Sequence, residues 1–395
     1  MKLAHLADLH LGFRQYARLT PQGVNQREAD VAQAFRRALD AVADAAPDIV
    51  VVAGDLFHSV RPTNTAILEA FRQFRRFRGR LPGVPIVLLP GNHDTPRAVE
   101  TGSILSLFEA ALEGMYVVGP YQPRRLAFEG LGLSLLAVPH FAWSVTARPA
   151  VAPDPEARFN VLVTHREVEG VLPREAAASD YGSQPIKRSD LNAAEFDYVA
   201  LGHYHVATRV DRNAYYAGSL EYVTTNPWWE AGQRGVAPAG QKGWLLVELG
   251  GKEPRVAFRA VEPARRVIDL EPIHGAGLDA AGLDAAIAER AGGIRGGLDG
   301  QIVRQLVWDV DRLTARDLNH AAIRERKTTA LHYRLDLRRP MPQREVGIAA
   351  GGRRQTLEEL VAEHLRARIL PPGVSRERVL ALAEAYLAAG GREEG

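Results

Sequence analysis

The sequence contains no cysteine among its 395 residues. Disulfide bonds, thiolate metal sites and cysteine nucleophiles are therefore excluded together. The side chains left to bind a metal ion are those of His, Asp, Glu and Asn. A reducing cytoplasm is the compartment that we expect for such a chain.

Long hydrophobic runs are also lacking. No apolar stretch approaches the ~20 residues that a membrane-spanning helix needs. Near the N-terminus, Asp8 and His10 interrupt the first apolar run, where a signal peptide would need an unbroken apolar core. We expect a soluble protein that does not associate with a membrane.

An excess of charge of one sign is absent as well. Lys and Arg together number 49 and Asp and Glu number 47, which gives a formal net charge of +2. Any contact with nucleic acid must then come from a local basic patch and not from the field of the whole molecule. A chain of 395 residues exceeds one typical domain, so we expect two or three domains.

Five short apolar runs each end in residue types that bind metal ions. The runs are typical of buried parallel strands and cover residues 3–7, 49–53, 86–89, 161–163 and 198–201. The polar residues that follow them are Asp8, His10, Asp55, Asn92, His93, Asp94, His165, His203 and His205. Because ligands of open α/β sheets bind outside the carboxyl ends of the strands, we expect these side chains to converge on one site.

Two pairs of these residues lie two positions apart, Asp8 with His10 and His203 with His205. Alternate side chains at the end of a strand share a face, so each pair can reach one metal ion. A carboxylate such as that of Asp55 can bridge two ions. Two cations about 3.5–4 Å apart supply a nucleophile at neutral pH and stabilise the attacking and leaving oxygens of a phosphodiester.

Asn92 and His93 are adjacent, so their side chains must diverge. Asn92 can then bind a metal ion while His93 faces the substrate as a cationic general acid, with Asp94 as a candidate to orient it. A ligand set of imidazole, carboxylate and amide groups suits Mn, Fe or Zn better than Mg. We expect two Mn²⁺ ions, with Mg²⁺, Fe²⁺ or Zn²⁺ as alternatives.

The pattern divides the chain into three parts. Residues 1–262 alternate apolar strands with amphipathic helices, which predicts an α/β domain whose sheet is doubled into a sandwich. Residues 263–340 combine three strands with an Ala- and Leu-rich helix, typical of a small α+β domain. Residues 341–395 hold a linker and two helical patterns too short to form a core alone, so we expect this tail to dock on another surface.

The ordered motifs of residues 8–205 resemble those of calcineurin-like metallophosphoesterases. Within that family the chain resembles the SbcD-type DNA repair nuclease, the bacterial counterpart of the break-processing nuclease of archaea and eukaryotes. The narrower likeness rests on the segments Asp8-Leu9-His10-Leu11-Gly12, Gly54-Asp55-Leu56-Phe57-His58, Gly202-His203-Tyr204-His205 and Ala217-Gly218-Ser219-Leu220-Glu221. It implies a four-layer α-β-β-α sandwich with a small α+β cap domain and a C-terminal helical tail.

The resemblance also implies a role for each residue of the site. One metal ion is expected to be held by Asp8, His10, Asp55 and His205. The other is expected to be held by Asp55, Asn92, His165 and His203. By the same resemblance His93 is the catalytic acid and His58 positions a phosphate.

Three kinds of partner follow from the resemblance. The cap, residues 263–340, is expected to flank DNA, and the tail, residues 341–395, to grip the coiled coil of an SbcC-type ATPase. A homodimer is expected through helices near residues 62–78 and 101–112. Candidates for its seam are Ile67, Phe71, Phe74, Leu105 and Phe108, although core packing explains the same residues equally well.

Candidate DNA contacts lie beside the first ligands. Arg14 can pair with phosphate and Tyr16 can stack on an unpaired base, while Arg61 follows His58 in the next ligand loop. An arginine or tyrosine in a loop is more often merely exposed, so this prediction depends on the adjacent metal motifs.

The leading hypothesis is a Mn-dependent DNA nuclease of double-strand-break repair, acting as a 3′–5′ exonuclease on duplex ends and as an endonuclease within an SbcCD-type complex. One alternative is a stand-alone phosphodiesterase for cyclic nucleotides or small diesters. Another is an assembly subunit that mainly tethers an ATPase to DNA. The sequence leaves open the balance of endonuclease and exonuclease action and the dependence on an ATPase.

Overall fold

The structure is a computed structural model that describes residues 1–96, 102–144, 148–171, 185–340, 357–368 and 375–390. Contacts divide the chain into two compact units, Met1–Arg339 and Pro340–Gly395. The first unit contains every predicted site residue. The predicted further division of this unit at residue 262 stays a prediction.

The strands of the described residues are named in chain order. They are β1 (Lys2–Leu6), β2 (Ile49–Ala53), β3 (Ile86–Leu89), β4 (Met115–Val117), β5 (Arg124–Phe128), β6 (Leu133–Val138), β7 (Phe159–His165), β8 (Tyr198–Gly202), β9 (Thr208–Arg209), β10 (Ala214–Tyr216), β11 (Lys242–Glu248), β12 (Arg255–Val261), β13 (Val267–His274), β14 (Ile302–Trp308) and β15 (His332–Leu337).

The α-helices of the described residues are named in the same way. They are α1 (Gln26–Ala45), α2 (Asn64–Arg80), α3 (Ser106–Ala111), α4 (Pro227–Gly232), α5 (Ala280–Gly292), α6 (Arg312–Arg316), α7 (His320–Thr329), α8 (Leu357–Ala367) and α9 (Arg376–Gly390). Across the described ranges, none is long and apolar enough to cross a membrane.

Two six-stranded sheets form the body of the first unit. Their strand orders are β12-β11-β1-β2-β3-β4 and β5-β6-β7-β8-β10-β9. Apolar residues of both sheets, such as Val51 and Val161, share one buried cluster, so the sheets pack face to face. The predicted doubled sheet is therefore confirmed.

Helices α1, α2 and α3 cover the outer face of the first sheet. Helix α1 begins after Asn25, whose side chain accepts a hydrogen bond from the N–H of Arg27 at 3.0 Å. Its residues Val31, Phe35 and Val42 recur at helical spacing and are fully buried in the cluster beneath. In the described residues, the outer layer on the second sheet consists of the short 3-10 helices His140–Ser144, Arg188–Leu191 and Ala193–Glu195.

This packing corrects part of the predicted dimer seam. Phe74, Leu105 and Phe108 are at most 1% exposed and belong to the core beneath α2 and α3. Ile67 and Phe71 only border that core and stay half-buried. The helix predicted over residues 101–112 spans Ser106–Ala111, and residue 101 lies outside the described residues.

The small α+β region has a parallel sheet of order β13-β14-β15. Helices α5 and α7 place Leu283, Ile287 and Ile323 against its core. This region agrees with the predicted strands and helix of residues 263–340. In the second unit, α8 and α9 are the two predicted tail helices, and they contact each other.

Candidate metal centre

The predicted ligands follow strands of both sheets. Strands β1, β2 and β3 of the first sheet run parallel to one another, and β7 and β8 run parallel within the second. The carboxyl ends of these five strands meet at one edge of the sandwich, which we call the metal edge. The two sheets therefore share the site.

Four predicted ligands have a left-handed backbone. The φ angles are +54° at Asp8, +46° at His10, +52° at Asp55 and +107° at His203. Such angles are uncommon outside glycine, and strain of this kind is concentrated at functional sites. Because β1 ends at Leu6, Asp8 and His10 are brought together by this loop conformation and not by the predicted strand alternation.

Two glycines permit the close approach of neighbouring loops. A Cβ atom at Gly54, where φ is +101°, would lie 2.0 Å from Nδ1 of His165. At Gly91 a Cβ atom would lie 2.2 Å from Oδ1 of Asp55. Both positions therefore need glycine for the ligands to reach their places.

The first ligand group consists of Asp8, His10 and His205. Nε2 of His10 lies 3.1 Å from Nε2 of His205, and Nε2 of His205 lies 4.0 Å from Oδ1 of Asp8. The carboxylate of Asp8 accepts hydrogen bonds from the N–H of His203 at 3.0 and 3.1 Å, so a main-chain contact between the sheets fixes it.

The second ligand group consists of Asp55, Asn92, His165 and His203. Oδ1 of Asn92 lies 3.0 Å from Nε2 of His165 and 3.2 Å from Nδ1 of His203. Oδ2 of Asp55 lies 3.2 Å from the same Nε2 of His165 and 3.8 Å from Nε2 of His10, so Asp55 stands between the two groups. Nδ1 of His165 bonds the carbonyl of Ala53 at 2.8 Å, which turns Nε2 towards the group.

Burial and neighbouring charges oppose each other at these residues. Burial disfavours the charged imidazole of His165, but the carboxylates of Asp55 and Asp8 and the carbonyl of Ala53 together outweigh it and raise the pKa of His165 to about 9. Burial also opposes ionisation of Asp55, yet nearby imidazoles, His165 first, hold the pKa of Asp55 well below its usual range. A metal ion must therefore displace a proton from His165.

The remaining ligand histidines behave differently. Burial lowers the pKa of His205 to about 3, and burial likewise holds the pKa of His10 and of His203 well below the usual range. These imidazoles are thus neutral at physiological pH, which is the form that binds a metal ion. Burial raises the pKa of Asp8 to about 7.

His93 diverges from Asn92 and lies beside His58. Nδ1 of His93 donates to the carbonyl of His58 at 3.0 Å, and the two rings are stacked with centroids 5.1 Å apart. Nδ1 of His58 lies 3.1 Å from Nδ1 of His10. Burial is the first cause that lowers the pKa of His58, to about 4. Both predicted catalytic histidines are therefore placed against the first ligand group.

Asp94 is bound by main-chain groups of the described residues, and its predicted role in orienting His93 stays a prediction. Its carboxylate accepts hydrogen bonds from the N–H groups of Leu56 at 2.9 Å and Phe57 at 2.8 Å. The side chain is fully buried, and burial raises the pKa of Asp94 to about 7. Asp94 therefore joins the loop after β3 to the loop after β2.

The predicted DNA contacts separate into two kinds. Arg61 is exposed, and Arg14 is 56% exposed with its Nε 2.7 Å from the carboxylate of Glu28. Tyr16 is instead stacked on His332 of β15, with ring centroids 4.1 Å apart, and packs beside Trp228. Tyr16 is thus occupied by an internal contact, which corrects its prediction as a base-stacking residue.

Sequence reasoning missed two supports of the site. Nδ1 of His140 lies 3.1 Å from the carbonyl of His165, and Nη1 of Arg166 lies 3.1 Å from Nε2 of His140. The buried ammonium of Lys242 donates to the carbonyl of His205 at 2.9 Å. Neither His140 nor Lys242 belongs to a recognisable motif, so no sequence signal marked them.

The donor set fits divalent metal ions. Ligand atoms of Asp8, His10 and His205 lie within 4.8 Å of one another, as do those of Asp8, Asp55 and His165. A third group of the same kind is formed by His10, His58 and His93. Imidazole, carboxylate and amide donors of this spacing suit Mn, Fe or Zn.

Comparison with known proteins identifies the domain. The family model described as calcineurin-like phosphoesterase matches residues 1–207. Among curated proteins, the chain is 30% identical over 239 residues to the DNA double-strand break repair protein Mre11 of Methanopyrus kandleri, covering 57% of this chain and 49% of that protein. It is 30% identical over 207 residues to the Mre11 protein of Sulfurisphaera tokodaii, covering 52% and 49%.

These similarities cover only part of each protein. The chain spans about half the length of the two curated relatives. Among solved structures, a purple acid phosphatase from yellow lupin (Lupinus luteus) seeds is similar with a TM-score of 0.37 and 12% identity, covering 62% of this chain and 48% of that one. This TM-score is too low to carry an argument.

Proposed function

The chain belongs to the calcineurin-like phosphoesterase family, and we propose that it is a metal-dependent DNA nuclease of double-strand-break repair. The observation that carries the proposal is the convergence of seven ligand side chains from both sheets at the metal edge. The similarity to two Mre11 repair proteins supports DNA as the substrate. We expect Mn²⁺ at both ligand groups, cleavage of duplex ends in the 3′–5′ direction, and endonuclease action.

The two ligand groups would hold two divalent cations. Asp8, His10 and His205 would bind the first, Asn92, His165 and His203 the second, and Asp55 would contact both. When bound, such a pair supplies a nucleophile at neutral pH and stabilises charge on phosphate oxygens.

His93 is the residue that we assign to proton transfer. Its Nδ1 is held by the carbonyl of His58 at 3.0 Å, so Nε2 is the atom that exchanges a proton with the leaving oxygen. The stacked ring of His58 fixes the plane of His93 and can itself contact a phosphate. Arg14 and Arg61, both exposed near this edge, are the proposed phosphate contacts.

A cleavage assay tests this function. Purified protein is incubated with an end-labelled linear duplex or a closed circle in Mn²⁺ or Mg²⁺, beside His93→Ala. We expect Mn²⁺-dependent shortening of the linear DNA, and a loss of about 10²–10⁴-fold in His93→Ala with unchanged metal content. His274→Ala, which removes an exposed histidine of β13, is the matched control and should retain full activity.

Two results would contradict the proposal. Intact DNA together with hydrolysis of bis(p-nitrophenyl) phosphate would favour an enzyme for small diesters. Undiminished DNA processing by His93→Ala would favour the alternative of an assembly subunit.

We further propose a homodimer through α2 and α3. Leu68 of α2 is 51% exposed and Leu107 of α3 is 52% exposed, and half-buried Ile67 and Phe71 lie on the same helix as Leu68. Phe74 and Phe108 pack together beneath, with centroids 5.6 Å apart, so the two helices are neighbours. Light scattering should give the mass of two chains for the native protein and of one chain for Leu68→Glu.

We also propose that the second unit docks on an SbcC-type coiled-coil ATPase. Its helices α8 and α9 expose Leu360 by 50%, Leu382 by 56% and Tyr386 by 75%. Exposed apolar side chains on a short helical pair are suited to pack on a partner helix. Leu382→Glu should abolish co-purification with the ATPase while leaving metal-dependent cleavage of bis(p-nitrophenyl) phosphate unchanged.

A further inference from the structure

Lys242 is a buried lysine next to the metal edge and outside the ligand set. Its side chain is 3% exposed, and a lysine is almost never buried to this degree unless it is paired. The ammonium donates to the carbonyl of His205 at 2.9 Å, to Oγ of Ser219 at 2.9 Å, and to the carboxylate of Glu230. All three of its N–H donors therefore have a partner.

The topology places Lys242 between the two sheets. Strand β11 begins at Lys242 and runs antiparallel to β1, in a register from Lys2 opposite Glu248 to His5 opposite Leu245. The first residue of β11 therefore lies near the carboxyl end of β1, where Asp8 follows. His205 follows β8 of the other sheet, so the Lys242 ammonium connects the first sheet to a ligand loop of the second.

The partners of Lys242 are fixed in their turn. The carbonyl of His205 also accepts a hydrogen bond from the N–H of Ser219 at 3.1 Å. The hydroxyl of Ser219 donates to the carbonyl of Glu221 at 2.7 Å, so its oxygen accepts from Lys242. The second carboxylate oxygen of Glu230 accepts from the hydroxyl of Thr224 at 3.0 Å. No member of this network can rotate without breaking another bond.

We propose that Lys242 is a positioning residue for the first ligand group, holding the main chain of His205 so that its imidazole faces Asp8 and His10. The inference rests on the proposed metal centre. Fixing the carbonyl of His205 fixes the peptide plane and hence the direction in which the side chain leaves the backbone. Nε2 of His205 is thereby kept 3.1 Å from Nε2 of His10. Asn92 and His165 of the second group have no such contact with Lys242 among the described hydrogen bonds.

A purely structural role for Lys242 makes a different prediction. If the residue served only as the partner of buried Glu230, replacing both by apolar residues would remove two buried charges and restore the protein. A positioning role requires the side-chain donor of Lys242 to the His205 carbonyl in addition to the N–H of Ser219, and no apolar pair supplies it. The double variant Lys242→Met with Glu230→Leu therefore separates the two roles.

The test is a metal titration of the purified full chain. Mn²⁺ and Co²⁺ binding is followed by calorimetry and by the Co²⁺ absorption spectrum, with His205→Ala and His165→Ala used to assign the two binding steps. We expect Lys242→Met to weaken the step that His205→Ala abolishes by about 10–100-fold and to leave the other step unchanged. The double variant should regain the unfolding temperature of the metal-free native protein but keep the weakened step.

Arg27→Met is the matched control. Arg27 is also a buried cation, 1% exposed, and its Nη2 lies 3.3 Å from the carboxylate of Glu221, but it makes no described hydrogen bond to a ligand residue. Its replacement should lower the unfolding temperature and leave both metal affinities unchanged. A comparable loss of affinity in Arg27→Met would attribute the effect to general destabilisation and overturn the proposal.

The remaining outcomes of the titration also test whether Lys242 has a positioning role. Native affinity of both steps in Lys242→Met, or recovery of the weakened step in the double variant, would overturn the positioning role. A native protein that binds two ions but cleaves no DNA would refute the proposed nuclease function. The metal affinities of the Lys242 variants would then still decide whether Lys242 positions His205. A native protein that binds no metal ion would overturn both.

Discussion

Two regions of the first unit carry charged side chains in different environments. At the metal edge, Asp55 is 2% exposed and lies 3.2 Å from Nε2 of His165, which is fully buried. On the three-stranded sheet, Asp269 is 44% exposed and accepts a hydrogen bond from Nε of Arg304 at 2.9 Å. Similar pair geometry thus occurs with and without water around it.

The difference shows where charge has a cost. An exposed pair keeps most of its hydration and contributes about 0–1 kcal/mol to stability. A buried charged group loses that hydration, and hydrogen-bond partners or a metal ion must offset the free energy lost. The metal edge retains several such groups, which a protein selected only for stability would replace by apolar residues. Burial of charge, and not the presence of ion pairs, distinguishes the metal edge from the three-stranded sheet.

The largest effect expected from this difference is the pH dependence of the metal-free protein. Seven described histidines have lowered pKa values, each with burial as the first cause, whereas burial raises the pKa of two aspartates. The histidines are His5, His10, His58, His140, His203, His205 and His332. The aspartates are Asp8 and Asp94.

The sign follows from proton counting. Below the ordinary histidine pKa of 6.5, these histidines bind protons in the unfolded chain but not in the folded chain. Asp8 and Asp94 bind protons in the folded chain only, and these two protons are fewer than the histidine protons. Stability should therefore fall as the pH drops from about 6.5 towards 4, by about 1.4 kcal/mol per pH unit for each net proton. Above pH 6.5 the contribution of His165 is lost as the pH rises towards its folded pKa of about 9. Chemical denaturation at several pH values measures this slope. A stability that does not change with pH would contradict this prediction. His5→Asn removes one of these histidines and should reduce the slope by the contribution of one proton.

The next effect concerns Asp94. Asp94→Ala leaves the buried N–H groups of Leu56 and Phe57 without their acceptor, since these bonds are 2.9 and 2.8 Å long in the native protein. We expect a loss of about 2–4 kcal/mol in the free energy of unfolding, because each orphaned buried donor costs about 1–3 kcal/mol. Urea denaturation measures it. A loss below about 1 kcal/mol would mean that the loop after β2 does not depend on Asp94.

The smallest effect is expected on the three-stranded sheet. Arg304→Ala removes both hydrogen bonds to Asp269, but the arginine is 23% exposed and its partner 44% exposed. We expect a change of at most about 1 kcal/mol, since such a pair is screened by water and salt. The same urea experiment serves as the test. A loss as large as that of Asp94→Ala would remove the contrast between the two regions.

Several features of the site were predictable because their signal is local. The apolar runs before Asp55 and His165 have the length and composition of buried strands, and strand ends are where ligand loops begin. The adjacency of Asn92 and His93 alone required their side chains to diverge. The α/β class with a doubled sheet and the helical tail followed from similar periodic patterns, whereas the four-layer arrangement was implied by the family resemblance.

Other features could not be predicted because their partners are remote in sequence. Tyr16 was expected to be available to DNA, yet it stacks on His332. The hydrogen bonds that Asp94 accepts from Leu56 and Phe57 were not foreseen. From the sequence, Phe74 was equally suited to a dimer interface and to the protein core, and the packing of α2 shows that it lies in the core. In each case the residue type was right for two environments, and only the packing selected one.

The sequence by itself determined the chemistry of the metal edge. Without cysteine, and with histidine, carboxylate and amide residues after five strands, only nitrogen and oxygen donors could be gathered there. The tertiary structure decided which donors meet, because contacts such as that of Asp8 with His203 join residues 195 positions apart. It also decided that Lys242 supports His205. The patterns that predict strands and helices extend over a few consecutive residues, so the sequence shows them directly. Which loops of the two sheets meet depends on how those sheets pack.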